Sequence, residues 1–213
     1  MNVLIAGACD DTGRCLVDYL AKNTDHETYA VVHEEEQKQT LEYIGQDRIS
    51  TMPSDVEELN ALTEEMDAVI YAGGCDVKTN DQKVIKSVLE DTKALINAAA
   101  RNKVKRFILL SAMGADDPQG SKEDYLYKKR EAEDYLKNTG MDFTIIRAGE
   151  LSTEKPSGKV KLEESINWIK DPAVSCEDAA KVIAASLDSD RMTNKTVELI
   201  SGDTSVEDAL QKM

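Results

Sequence analysis

The sequence has no long hydrophobic run and few basic residues. No apolar stretch approaches the roughly 18 residues that a membrane-spanning helix needs, and the sequence enters a short apolar run without a basic leader. We therefore expect neither membrane insertion nor secretion. Of the 213 residues, 26 are Lys or Arg and 41 are Asp or Glu, so the formal net charge is −15. Because nucleic acids and anionic membranes are bound through clustered cations, this charge argues against both as partners.

Cysteine and histidine are also scarce. The four cysteines show no C-x-x-C spacing, and there are only two histidines. The sequence therefore predicts no disulfide scaffold and no metal site, and it indicates a reduced, cytoplasmic protein. An apolar content of 41% is enough for a core. We expect one domain over residues 1–213, with a small C-terminal elaboration at about 150–213.

Short apolar runs alternate with segments of helical periodicity along the chain. The predicted strands are Asn2–Gly7, Thr28–His33, Arg48–Thr51, Asp67–Ala72, Val104–Ser111, Met141–Arg147 and Lys195–Ile200. The predicted helices are Thr12–Asn23, Glu36–Ile44, Val56–Glu65, Asp81–Asn102, Ser121–Asn138, Glu177–Leu187 and Val206–Met213. This alternation indicates an α/β fold: a doubly wound, mostly parallel Rossmann-like sheet with helices on both faces.

The order expected for the first six strands is 3-2-1-4-5-6, with a ligand crevice where strands 1 and 4 part. Four marked segments then converge at the carboxyl ends of the strands. They are Gly7 after strand 1, Gly73 and Gly74 after strand 4, Ser111 at the end of strand 5, and residues 147–149 after strand 6.

The first of these turns reads Gly7-Ala8-Cys9-Asp10-Asp11-Thr12-Gly13. Dinucleotide-binding folds use glycines here for the tight turn, for the approach of the pyrophosphate and for helix packing. Gly7 and Gly13 suit the first and third purposes, but Asp10 occupies the middle position. One interpretation is a phosphate site built from backbone N–H groups. The other is that Asp10 or Asp11 caps the helix and fills the site with the protein's own charge.

Strand 2 ends at His33, followed by three glutamates. An acid at this position accepts hydrogen bonds from the adenosine ribose and favours NAD, whereas an arginine favours NADP. The local charge therefore leans towards NAD. The alternative is a solvated helix start with glutamates in its first turn.

The first turn has a glycine at each end, strand 4 is followed by AGG and strand 5 ends in FILLS. In these features the sequence resembles the short-chain dehydrogenase/reductase superfamily. The resemblance is strongest to its atypical short NAD(P)-binding branch, with its epimerase/dehydratase-like and NADH-flavin-reductase-like members. The segments VKRFILLSAMGADDP, YLYKKREAEDYL, MDFTIIRAGELS and SCEDAAKVIAASL agree with it in order and spacing. The resemblance covers nearly the whole chain, although no single motif is diagnostic.

This resemblance implies a Tyr-x-x-x-Lys pair on the helix after strand 5, which falls on Tyr125 and Lys129. At i,i+4 the two side chains share one helix face, and the ammonium favours a phenolate that can act as a general acid/base. The family's carbonyl-polarising serine falls on Ser111. The implied cofactor, NAD or NADP, would contact Gly7, Cys9, Asp10, Asp11, Thr12, Gly13, His33, Asp55, Ala72, Gly73 and Gly74. Homodimers are common in the superfamily.

Several positions depart from the family pattern. Asp10 replaces a glycine and His33 replaces a frequent arginine; Val88, Asp91, Ala148 and Cys176 also differ. Asp55, by contrast, matches a position that contacts adenine. Three hypotheses therefore stand. The chain is an NAD(P)-dependent oxidoreductase or epimerase/dehydratase acting on a small molecule; it is a non-catalytic nucleotide-binding or redox-sensing regulator; or it is a Rossmann-like scaffold that has lost its dinucleotide.

Overall fold

A computed structural model describes residues 1–74, 82–121, 124–167 and 169–213. Within these residues the strands are β1 (Asn2–Ala6), β2 (Glu27–Val32), β3 (Ile49–Thr51), β4 (Ala68–Tyr71), β5 (Arg106–Ala112), β6 (Asp142–Ala148), β7 (Glu150–Ser152), β8 (Lys159–Glu163), β9 (Ala173–Ser175), β10 (Lys195–Ser201) and β11 (Thr204–Ser205). The helices are α1 (Asp11–Asn23), α2 (Lys38–Tyr43), α3 (Val56–Thr63), α4 (Gln82–Arg101), α5 (Tyr125–Lys137), α6 (Cys176–Leu187) and α7 (Val206–Gln211).

The described strands form a nine-stranded sheet in the order β11-β8-β10-β6-β5-β4-β1-β2-β3. The predicted order 3-2-1-4-5-6 is confirmed, and β10 extends the parallel sheet next to β6. Alternate residues of the central strands face opposite layers. Helices α1, α6 and α7 pack on one face, and α3, α4 and α5 pack on the other. The fold is therefore the doubly wound single domain that the sequence predicted.

The main differences lie after β6. Strands β8 and β11 add an antiparallel edge beyond β10, and β7 pairs with β9 in a separate two-stranded sheet. These four strands were not predicted from the sequence. The signal for β8 was present, because Val160 and Leu162 are buried while their neighbours alternate towards solvent, as in a half-buried strand. The other three strands have only two or three residues each, too few to show a period.

Helix α5 also differs from its prediction. It begins at Tyr125 rather than at Ser121, and the Asp124 carboxylate just before it accepts the backbone N–H of Ser121 at 2.7 Å. The predicted helix start at Asp81 and the cysteine at Cys75 lie outside the described residues. None of the helices in the ranges given above is long and apolar enough to cross a membrane.

Candidate functional site

The turn between β1 and α1 requires glycine at both ends. Gly7 has φ +77°, and a Cβ there would lie 2.3 Å from the Cα and N of Gly73. A Cβ on Gly13 would lie 2.0 Å from the carbonyl oxygen of Gly7. The ends of β1 and β4 therefore meet backbone to backbone, and the start of α1 packs tightly onto the same turn. This is the close approach that the first and third glycines of a dinucleotide turn provide.

The first turn of α1 is built to meet an acceptor. Thr12 is 1% exposed, and its hydroxyl oxygen has no hydrogen-bond partner in the described part of the chain. No side chain at the N-cap position accepts a hydrogen bond from the helix. Backbone N–H groups at a helix start carry partial positive charge and favour a phosphate. By its backbone and by Thr12, the turn fits the pyrophosphate of a dinucleotide.

The two aspartates take different partners. Asp10 is the N-cap residue, but its Oδ2 accepts the backbone N–H of Gly74 at 2.9 Å instead of an N–H of the helix. Asp11 Oδ1 pairs with Arg14 at 3.0 Å on the helix surface. The interpretation that Asp10 caps α1 through its side chain is therefore wrong, because the end of β4 offers that carboxylate a donor across the crevice.

The end of β2 is held by Gln37, which was not predicted from the sequence to be a site residue. The backbone N–H groups of His33 and Glu34 both donate to Gln37 Oε1, each at 3.0 Å. The Cys9 thiol donates to the Gln37 carbonyl oxygen at 3.5 Å. Burial, with a further contribution from Asp10, raises the pKa of Cys9. Cys9 is therefore a protonated donor that ties the glycine turn to the segment after β2.

His33 itself faces α4. Its Nδ1 lies 3.9 Å from Asp91 Oδ2, and both side chains are partly exposed. Burial raises the pKa of Asp91, against the opposing effect of His33. Asp55, the predicted adenine contact, is the N-cap of α3, where its Oδ1 accepts the N–H groups of Glu57 and Glu58 at 2.8 and 3.2 Å.

Lys129 connects helix α5 to the backbone beside the glycine turn. Its ammonium donates to the carbonyl oxygens of Gly73 and Leu110, each at 3.2 Å, and the residue is 5% exposed. Its Nζ also lies 5.4 Å from the ring centroid of Tyr125, which is half-buried one turn earlier. Ala72 is buried just before Gly73, and its N–H donates to the Ala6 carbonyl oxygen, which extends the hydrogen bonding between β1 and β4. The structure thus places the predicted Tyr–Lys pair beside the predicted dinucleotide turn.

Ser111 belongs to a buried network on the same face of the sheet. Its hydroxyl donates to Glu133 Oε1 at 2.6 Å. Glu133 also accepts from the Nε and a terminal nitrogen of Arg147, the shortest contact being 2.7 Å. Ser111, Glu133 and Arg147 are 1%, 0% and 8% exposed. To polarise a substrate carbonyl, Ser111 would have to redirect its hydroxyl away from Glu133.

Glu133 was not predicted from the sequence, although a signal for it existed. Tyr125, Lys129 and Glu133 follow one another at intervals of four residues, so they share one face of α5. That face turns towards the carboxyl ends of β4 and β5. A lysine and a glutamate on the buried face of a helix are unusual unless each has partners.

Comparison with known proteins agrees with this geometry. A doubly wound sheet with a glycine turn at its switch point defines a Rossmann-type dinucleotide-binding protein. The chain belongs to the NAD(P)H-binding family, whose profile matches residues 7–190, in the atypical branch of the short-chain dehydrogenase/reductase superfamily. The expected resemblance is therefore confirmed, and the family supports a nicotinamide dinucleotide as the cofactor.

Three similar proteins illustrate the relationship. The "uncharacterized sugar epimerase YhfK" of Bacillus subtilis is 33% identical over the full length of both chains. A solved structure from Bacillus halodurans, provisionally described as an NAD-dependent epimerase/dehydratase, is 35% identical with a TM-score of 0.89, again over the whole of both chains. A short-chain dehydrogenase/reductase of Veillonella parvula in complex with NADP is 17% identical with a TM-score of 0.75 over 95% of each chain, which shows a shared fold.

Proposed function

We propose that the protein is an NAD(P)-dependent oxidoreductase that transfers hydride to or from a small molecule, with Tyr125 and Lys129 as its acid/base pair. The observation that carries this proposal is the position of Lys129. Its buried ammonium donates to Gly73, the same glycine whose backbone would meet a Cβ placed on Gly7. The acid/base helix and the dinucleotide turn therefore lie against the same residue, Gly73.

The chain's own residues supply the proton chemistry. A dinucleotide held by the glycine turn and the start of α1 would supply or accept the hydride at a substrate carbon. In the reducing direction Tyr125 donates its phenolic proton to the substrate oxygen, and the fixed charge of Lys129 stabilises the phenolate left behind. Reduction of a carbonyl by one hydride and one proton gives an alcohol. Ser111 remains a predicted second donor, provided that Glu133 releases its hydroxyl.

We also propose that the site prefers NAD(H) to NADP(H). The two backbone N–H groups that a 2′-phosphate could use after β2 are already occupied by Gln37 Oε1. The side chains that follow are three glutamates, which accept hydrogen bonds from a ribose hydroxyl and repel a phosphate. The His33 ring faces Asp91, with its Nδ1 3.9 Å from Asp91 Oδ2.

Replacing Tyr125 with phenylalanine should lower turnover by about 10²-fold or more, because general acid/base catalysis contributes roughly that much. Turnover would be measured as NADH oxidation with a panel of small carbonyl and quinone acceptors. Tyr127→Phe is the matched control, since Tyr127 lies two residues along α5 and away from the Tyr125–Lys129 face. The affinity for NADH should stay unchanged in both variants. Full turnover in Tyr125→Phe would exclude Tyr125 as the acid.

The second candidate function is a non-catalytic nucleotide-binding regulator. It is favoured by the hydrogen bond that commits the Ser111 hydroxyl to Glu133. Dinucleotide binding without turnover of any acceptor in the panel would favour this alternative over the enzyme.

A further inference from the structure

The peptide group between Gly73 and Gly74 is held by opposite charges at its two ends. Lys129 Nζ donates to its carbonyl oxygen at 3.2 Å, and Asp10 Oδ2 accepts its N–H at 2.9 Å. The ammonium and the carboxylate both favour the same orientation of this peptide dipole. The N–H is therefore directed towards the β1–α1 turn, where the crevice of a doubly wound sheet lies.

The Gly74 N–H therefore has two possible acceptors, the Asp10 carboxylate and a bound pyrophosphate. A pyrophosphate at the start of α1 would be drawn to backbone N–H groups around the crevice. The N–H of Gly74 is one of them, and Asp10 already occupies it. Asp10 also stands at the position where dinucleotide turns have their middle glycine, whose role is to let the backbone approach the pyrophosphate.

We propose that Asp10 is an affinity-determining residue of the dinucleotide site that acts against binding: its carboxylate competes with the cofactor's pyrophosphate for the Gly74 N–H. This inference rests on the proposed dinucleotide function. Two observations support it independently of the sequence motif. Asp10 does not cap α1 through its side chain, and the buried Thr12 hydroxyl two residues further along has no partner among the described residues. The Asp10 carboxylate therefore serves the Gly74 N–H and does not act as the cap of α1.

Two variants of Asp10 separate charge from shape. Asp10→Asn keeps an oxygen that can accept the Gly74 N–H but removes the negative charge. Asp10→Gly removes both and restores the middle glycine. We expect Asp10→Asn to bind NADH about tenfold more tightly than the wild-type chain, because one carboxylate charge no longer opposes an anionic ligand. Asp10→Gly should bind at least as tightly as Asp10→Asn.

Asp18→Asn is the matched control. Asp18 lies on the same helix and loses the same charge, but its carboxylate pairs with Lys22 on the exposed surface. Affinity would be measured by titration calorimetry with NADH, which requires no turnover. Amide hydrogen exchange at Gly74 gives a second readout. The amide should be protected in the wild-type chain without cofactor and should exchange faster in Asp10→Gly.

The outcomes distinguish this inference from the proposed function. Tighter NADH binding by both Asp10 variants, with Asp18→Asn unchanged, supports competition at Gly74. If the wild-type chain binds NADH and both Asp10→Asn and Asp10→Gly bind it equally or more weakly, the inference is overturned and the proposed function stands. If neither the wild-type chain nor Asp10→Gly binds any nicotinamide dinucleotide, both fail.

Discussion

Replacing Glu133 with alanine should lower the free energy of unfolding by about 3–5 kcal/mol. The substitution removes the buried bidentate partner of the Arg147 guanidinium, which is 8% exposed, and leaves it only the exposed Asp116 carboxylate at 3.7 Å. Removing one partner of a buried ion pair costs about this much. It also leaves the buried Ser111 hydroxyl without its acceptor. The measurement is the urea midpoint of unfolding, converted with the measured slope.

Two further variants sharpen this prediction. Glu131→Ala is the control, because Glu131 lies on the same helix but makes its ion pair with Lys93 at the surface; it should cost at most about 1 kcal/mol. The double variant Glu133→Leu with Arg147→Met should recover most of the lost stability, since apolar replacements of a buried pair are often well tolerated. A loss of less than about 1 kcal/mol in Glu133→Ala would contradict the network as described.

Replacing Gly7 with alanine should weaken dinucleotide binding by more than 100-fold and destabilise the fold more than the same change at Gly140. Both glycines have φ +77°, so both alanines adopt a left-handed backbone at a cost of about 1–2 kcal/mol. Only at Gly7 does the new Cβ meet the backbone of Gly73, at 2.3 Å; at Gly140 nothing lies within 4 Å. The additional cost at Gly7 is about 1–3 kcal/mol, as for other overpacked sites.

Comparing Gly7→Ala with Gly140→Ala separates the cost of the left-handed backbone from the cost of the clash with Gly73. Urea unfolding gives the stability of each variant, and NADH titration gives its affinity. We expect Gly140→Ala to bind NADH as the wild-type chain does, and Gly7→Ala to lose more than 100-fold in affinity. Equal stability and equal affinity in the two variants would show that β1 and β4 do not meet in the way described.

Local patterns predicted most of the central fold. The apolar runs at β1, β4, β5 and β6 and the periodic segment at α4 identified a parallel sheet, because buried strands and amphipathic helices leave strong short-range signals. The convergence of the marked segments at the carboxyl ends of the strands was also predicted, since parallel strands end at the same edge of the sheet. The strand at Lys159–Glu163 shows that even a local signal is missed when charged residues dominate it.

The site was predicted less completely, because its key contacts connect distant residues. The bond from Gly74 to Asp10 spans 64 positions, and the bond from Ser111 to Glu133 spans 22. Neither follows from spacing along one element. The sequence therefore placed Asp10 in the correct turn but left open whether its carboxylate caps the helix, and it placed Ser111 at the correct strand end without its acceptor.

The central claim is that the crevice between β1 and β4 binds a nicotinamide dinucleotide. Thermal unfolding with NADH, NADPH, NAD and NADP, each at millimolar concentration, tests it most directly. A ligand at 100 times its dissociation constant stabilises by about 2.7 kcal/mol, and for a domain of this size that raises Tm by several degrees, at roughly 2–4 °C per kcal/mol. We predict such a rise, larger with NADH than with NADPH. An unchanged Tm with all four dinucleotides, in the wild-type chain and in Asp10→Gly alike, would contradict the claim.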